Sequence, residues 1–253
     1  MSVSVLLYAF TATPVAAQES PLFIPPPPPR AVFVNVNGGF IAQSIDFTQA
    51  ADFSLYGETG SFEAQHKIGG GPVVDLAAGI RVAGNMSLGV AYSRRVTHTR
   101  DVPVSALVPD SLFTNRHRNA SGTASGLEHD ERAWHLQASW RLPVTVEFDV
   151  TLFAGPTIFT LEDELIDTIT VSEGTAGTAS LGAIARTRPR GNAAGFHFGL
   201  DTAYMFTRHA GAGAMLRYSR GWTELDLPPG NTESDVTLHP GGLELAAGLR
   251  VRF

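Results

Sequence analysis

From Ala31 to the last residue, apolar and polar side chains alternate with a period of two in eight separate stretches. That is the pattern of β-strands whose two faces meet unlike surroundings. In the first, Val32, Val34, Val36, Phe40 and Ala42 alternate with Phe33, Asn35, Asn37, Gly39 and Gln43. The second sets Val74, Leu76, Ala78, Ile80 and Val82 against Asp75, Ala77, Gly79 and Arg81, and the third Met86, Leu88, Val90 and Tyr92 against Ser87, Gly89, Ala91 and Ser93. The fourth places Trp134, Leu136, Ala138 and Trp140 opposite His135, Gln137, Ser139 and Arg141. Phe148, Val150, Leu152, Ala154 and Ile158 follow, opposed by Glu147, Asp149, Thr151 and Thr157. The sixth sets Phe196, Phe198, Leu200, Tyr204 and Phe206 against His197, Gly199, Asp201 and Ala203. The seventh has Ala212, Ala214, Leu216, Tyr218 and Trp222 against Gly213, Met215, Arg217 and Ser219. The last has Leu243, Leu245, Ala247, Leu249, Val251 and Phe253 against Glu244, Gly248, Arg250 and Arg252.

The links between these stretches alternate in length. Those at 84–85, 143–145 and 207–209 are very short, whereas 44–71, 100–128, 162–192 and 224–240 are long and polar. All the short turns therefore fall at one end, together with both termini of the eight-strand set. The pattern predicts an all-β, eight-stranded antiparallel up-and-down transmembrane β-barrel with four external surface loops.

Alternation does not say which face meets lipid; the composition of the faces does. One face carries Asp75, Arg81, Arg141, Glu147, Asp149, Asp201, Arg217, Glu244, Arg250 and Arg252 among many small residues. Balanced charges of this kind suit a narrow lumen in which opposite signs pair. On the other face, Arg94 and Arg220 are the only charges, and both lie near the external strand ends. Contact with lipopolysaccharide phosphates is an expectation for this pair, with solvated rim charges as the alternative. Aromatic residues mark both borders: Trp140, Tyr204, Phe206 and Phe253 near the short turns, and Tyr92, Trp134, Tyr218 and Trp222 towards the long links.

Composition narrows the class further. Charged residues are 17% of the chain, Lys67 is the only lysine, and the net charge is −6. Nucleic acid is thereby disfavoured as a partner. Cys is absent, which excludes disulfides and thiolate metal sites. Residues 1–17 resemble a signal peptide, with an apolar stretch Val3–Phe10 and small residues at Val15 and Ala17, although no Lys or Arg precedes that stretch. Residues 18–30, with the proline run 25–29, read as a stiff periplasmic spacer, and 31–253 as the barrel.

Three segments give the barrel a family likeness. Gly79-Ile80-Arg81 through Asn85-Met86-Ser87-Leu88-Gly89-Val90, Leu152-Phe153-Ala154-Gly155-Pro156 and the ending Leu249-Arg250-Val251-Arg252-Phe253 resemble the OmpA-like family of small outer-membrane barrels, which includes the OmpX and opacity-protein types. The resemblance spans roughly 31–253 and is of the barrel alone, without a peptidoglycan-binding domain. It implies export to a bacterial outer membrane. It also implies that Phe253 is an assembly signal read by the outer-membrane machinery, and that lipid and lipopolysaccharide surround the wall.

No chemistry stands out. His98, His117 and His129, like His66, His209 and His239, read as solvated loop or turn residues without a metal signature. His135 and His197 share the lumen face with acids, and Ser139 or Ser219 would be a nucleophile only if a lipid-deacylase pattern were present, which it is not. Eight strands leave little room for an open pore. The expectation is a non-enzymatic, cofactor-free outer-membrane protein of the cell envelope, serving integrity or adhesion through an unidentified extracellular partner of its loops. The alternatives are a secreted lipocalin-like carrier of an apolar ligand, a lipid-modifying enzyme or a narrow pore.

Overall fold

The structure is a computed structural model that describes residues 32–174, 178–227, 231–232 and 235–253; the signal-like segment 1–17 and the proline-rich segment 18–30 lie outside these. In chain order its strands are β1 (Val32–Ala42), β2 (Ile45–Leu55), β3 (Glu58–Ile68), β4 (Gly71–Ala83), β5 (Met86–Pro109), β6 (His117–Pro143), β7 (Phe148–Asp163), β8 (Leu165–Glu173), β9 (Ala179–Thr187), β10 (Arg190–Met205), β11 (Ala210–Asp226), β12 (Asp235–Leu238) and β13 (Gly241–Arg252).

Eight of them form a closed ring. β1 pairs with β4, and the antiparallel ladder continues through β5, β6, β7, β10, β11 and β13 back to β1. The seam is well made: the Phe253 N–H donates to the Val32 carbonyl at 2.9 Å, and the Val32 N–H to the Phe253 carbonyl at 3.3 Å. Closure pairs the backbone polar groups around the ring, which a hydrocarbon surrounding requires.

The short turns are encoded locally. Gly84 takes φ +51° between β4 and β5. In the next two turns a threonine hydroxyl accepts the backbone N–H groups that would otherwise stand free. Thr145 Oγ1 takes those of Glu147 and Phe148, and Thr207 Oγ1 those of His209 and Ala210. β10 ends at Met205, so Phe206 belongs to the last of these turns.

The ring has a reversed polarity. Its outer wall exposes Leu76, Ile80, Leu88, Leu136, Leu152, Ile158, Phe198, Leu245 and Leu249, while Asp75, His135, His197, Arg217, Glu244 and Arg250 are buried within. Trp134–Leu142 on β6 is nine residues long. At roughly 3.3 Å per residue and a tilt near 40° it covers about 23 Å, the height of a lipid-facing apolar band. Tyr92 packs on Trp134 at 4.9 Å and Phe196 on Trp222 at 5.8 Å, forming the border furthest from the short turns. A carrier with an apolar interior needs the opposite arrangement, so the lipocalin alternative is not favoured.

The long links depart from expectation. They are not simple polar loops but a second β-layer. β5 and β6 run to 24 and 27 residues and continue as a hairpin well beyond the apolar band. The β2–β3 hairpin adds to this extension through the pairing of Ser61–Ala64 with Val104–Leu107. β8 and β9 form a separate hairpin, and β12 prolongs the sheet at β11. Ala64, Val102, Val104, Val108, Leu127 and Ile166 are the centre of an apolar core shared by these hairpins. On β5 the inward positions are odd at Ser93 and Arg95 but even from Val102 to Val108. The strand changes its buried face near Gly126 of β6, which has φ +71°. One strand thus serves a polar lumen and then an apolar core.

Candidate functional site

The lumen holds its charges in three tiers, counted from the short-turn end. At the mouth, Arg252 grips Asp149 with both nitrogens at 2.6 and 2.9 Å, and Arg141 approaches the same carboxylate at 3.8 Å. In the middle, Arg250 binds Asp201 in a bidentate pair and donates to Asn37 Oδ1 at 2.6 Å. Asn37 in turn donates to Asp75 at 2.9 Å. In the third tier, Arg217 lies between Asp75 at 2.9 Å and Glu244 at 2.6 Å. The chain Asp201–Arg250–Asn37–Asp75–Arg217–Glu244 ties together β10, β13, β1, β4 and β11. Charges removed from water are held by partners of the opposite sign and by hydrogen bonds.

Of the ten residues expected in the lumen, nine face it. Glu147 does not: it is exposed in the turn before β7, where its carbonyl accepts the Met205 N–H at 2.7 Å. Period-two counting carries no information on where a strand ends, and β7 starts one residue later. Arg81 lines the mouth cavity, yet its guanidinium makes no hydrogen bond or ion pair among the described residues. His135 and His197 are indeed inside, but their partners are hydroxyls, not acids. Ser93 Oγ and His135 Nε2 are 3.2 Å apart, and Thr157 Oγ1 lies 2.9 Å from His135 Nδ1 and 3.0 Å from His197 Nδ1. The nine-residue pattern of β6 gave no sign of this shared threonine, which sits on the neighbouring strand.

Above the lumen the barrel is plugged. Phe159, Leu161, Leu165, Ala133, Ala193 and Leu238 form an apolar cluster across the interior. Beyond it lies a polar waist that the sequence did not reveal. His129 and His66 were expected as solvated loop residues, but both are buried. His66 belongs to β3, and Phe47, Ile68 and Leu165 from β2, β3 and β8 line the same small cavity as the two histidines. His129 Nδ1 bonds Asp163, and Arg95 bonds Glu131 at 2.7 Å beside His129 Nε2. Burial alone would lower the His129 pKa, but Asp163 and Glu131 outweigh both that and the repulsion of Arg95, and raise it to about 9. His66 stacks on Phe47 at 4.6 Å, and its Nε2 lies 3.1 Å from Gln49 Oε1. Its burial depresses its pKa to about 4, a little opposed by Asp163. Gln49 also bridges to β8, accepting the Ile166 N–H and donating to the Ile166 carbonyl at 2.6 Å.

The far tip of the second layer is tied by ions and left apolar outside. Arg118 binds both oxygens of Glu173 at 2.6 and 2.7 Å, and Tyr56 donates to Glu173 at 3.0 Å. The Asn115 N–H donates to Glu58 at 2.9 Å. The turn between β5 and β6 presents Leu112 and Phe113, which are 80% and 57% exposed, with the Arg116 guanidinium 5.5 Å over the Phe113 ring.

The two outer-wall arginines have different settings. Arg94 is held by Asp130 in a bidentate pair, and Arg132 binds the same carboxylate. Arg220 is exposed, and its guanidinium forms no hydrogen bond or ion pair among the described residues. Phe253 is exposed at the end of the seam. No group of three or more His, Asp or Glu side chains placed to hold a metal occurs among the described residues.

No family model matches the chain, and no curated protein matches it. Among solved structures it is similar to the outer membrane protein OprG from Pseudomonas aeruginosa, at 12% identity over 89% of this chain and 97% of that one, with a TM-score of 0.48. It is similar to the outer membrane protease OmpT from Escherichia coli, at 10% identity over 89% and 97%, with a TM-score of 0.46. It is similar also to Neisserial surface protein A, at 14% identity over 88% and 97%, with a TM-score of 0.38. Likenesses at this level assign neither family nor activity, and the fold rests on the closed ring of strands and its reversed polarity.

Proposed function

We propose that the protein is a non-enzymatic barrel of a bacterial outer membrane that presents a rigid β-layer outside the cell as an interaction surface. The observation that carries this reading is the cored layer itself. A wall protein needs only short links, whereas this chain folds its long links around a shared apolar core and fixes the tip with the Arg118–Glu173–Tyr56 cluster. Order of this kind lowers the entropy lost when a partner binds. Leu112, Phe113 and Arg116, at the most distal turn, are suited to anchor an extracellular partner. Lipid and lipopolysaccharide would surround the wall, with Arg220, whose guanidinium has no ion pair among the described residues, at the rim, and exposed Phe253 would serve as the assembly signal.

The test is adherence. Cells displaying the parent chain are compared with cells displaying Leu112→Ser/Phe113→Ser, on cultured epithelial cells and on immobilised matrix proteins, with surface display checked by antibody. Adherence gained with the parent and lost with the variant supports the tip as the contact surface. A parent that confers no adherence on any of these surfaces favours a purely structural envelope role instead.

A further inference from the structure

The charges of the lumen are unevenly spread. The third tier holds one base, Arg217, between two acids, and the middle tier matches Arg250 with Asp201. The mouth has Arg81, Arg141 and Arg252 against the single carboxylate of Asp149, already bound by Arg252. The side chains of Arg141, Arg252 and Asp149 are only 19%, 16% and 9% exposed, so bulk water does little to disperse the surplus. Arg81 has no anionic partner among the described residues.

These arginines line a cavity of about 60 Å³ that reaches from the short-turn end up to Asp75, Asp201 and Arg217, where both aspartates are already held, Asp75 by Arg217 and Asp201 by Arg250. That is room for a few waters or for a small solute in their place. Asn85, Ser87, Gln137 and Ser139 add amide and hydroxyl donors to its wall, and Phe33 and Phe153 give it an apolar side. Arg81 without an ion pair among the described residues, Arg141 with only a shared carboxylate at 3.8 Å, neutral donors and an apolar flank facing one partly enclosed space form the complement of an oxyanion carried on a small apolar body. The apolar cluster around Phe159 closes the lumen above, so that a ligand enters and leaves by the mouth.

We infer that the short-turn mouth of the lumen is a binding site for a small carboxylate or phosphate, held by Arg81 and Arg141 beside the Arg252–Asp149 pair. The site is independent of the external layer: it lies at the opposite end of the barrel and needs no contact with the tip.

Refolded full-length protein in detergent micelles at low ionic strength is titrated with inorganic phosphate, phenyl phosphate and benzoate by calorimetry, alongside Arg81→Gln, Arg141→Gln and the double variant. Gel mobility before and after boiling confirms that each variant is folded. Binding by the parent should weaken roughly tenfold with each single substitution and vanish in the double variant. The same anions should raise the thermal midpoint of the parent but not that of the double variant. A greater affinity for phenyl phosphate than for inorganic phosphate assigns the apolar flank to the site, and equal affinity restricts the site to the oxyanion. No binding by the folded parent at millimolar ligand, or binding undiminished in the double variant, would overturn the inference.

Discussion

At the scale of the residue, the lumen is held by a few buried ion pairs whose value lies in not being broken. Replacing Arg217 with Met leaves Asp75 and Glu244 facing each other without a cation. The expected cost is about 3–5 kcal/mol, the usual penalty for orphaning a buried charge. It is read as a lower urea midpoint for the barrel in lipid vesicles. Adding Asp75→Asn and Glu244→Gln should recover much of the loss, and failure to recover would mean that Arg217 acts through packing. The waist histidines give the external layer a pH optimum. His129 titrates at about 9 when folded against 6.5 when unfolded, so its contribution is complete below pH 6.5 and lost as pH rises through 9. His66, lowered to about 4, contributes fully above pH 6.5 and loses that contribution as pH falls through 4. Protease resistance of the external layer should therefore peak near pH 6.5. His129→Gln should flatten the alkaline limb alone, and a limb that persists in that variant would assign it to another group.

At the scale of the element, the strands of the ring are legible in the sequence and those of the external layer read as links. Val74 to Val82 and Leu243 to Val251 alternate cleanly because lipid lies on one side and charge on the other. The strands of the external layer pack on a shared core, and the buried faces of β2, β3 and β8 mix Ile45, Phe62, Ile68 and Ile166 with small or polar residues such as Ala51, Ala64 and Gln49. A period of two does run through β2 and β3, with Ile45, Phe47, Ala51, Phe53 and Leu55 against Asp46, Thr48, Asp52 and Ser54, but Gln49 and His66 interrupt the apolar face and the stretch as a whole reads as a polar link. β5 adds a second obstacle, since its buried face switches between Arg95 and Val102. β7 shows a feature that sequence pattern does flag. Pro156 lacks an N–H, and the ladder to β6 is interrupted between the pairs His135–Thr157 and Ala138–Ala154. At the neighbouring Gly155, a Cβ would come within 1.9 Å of the Leu136 carbonyl oxygen, so only glycine fits. The two cores are separable, which gives a prediction at this scale. Val104→Asp places a carboxylate in the external core and should unfold that layer. Trypsin would then cleave between β5 and β6 while the slow boiling-dependent gel shift of the barrel remains. Loss of the gel shift as well would show that the barrel depends on the layer above it.

At the scale of the molecule, the protein is an inverted object below and an ordinary one above. The ring turns most of its apolar side chains outward and packs charge inside around a small apolar group of Phe153, Met215 and Ala246; the external layer buries its apolar side chains. The apolar plug around Phe159 is where the two regimes meet, and it also separates the mouth cavity from the far side. The charged lumen was legible from residue counts on alternate positions, because a face with both signs and many small residues has few other uses. The surplus of positive charge at the mouth was not, since Glu147 counts as a fifth acid until the turn is seen to exclude it.

The central claim is that the charged face looks inward and the apolar face meets lipid, and the absence of cysteine makes it directly measurable. Single cysteines placed at Leu136, Leu152 and Leu245, and at Gln137, Ala91 and Ala246, are labelled with a small fluorophore in protein refolded into vesicles. Lipids bearing nitroxides on their acyl chains should quench the first three labels strongly and the second three weakly. Equal quenching of both sets, or the reverse order, would contradict the transmembrane barrel.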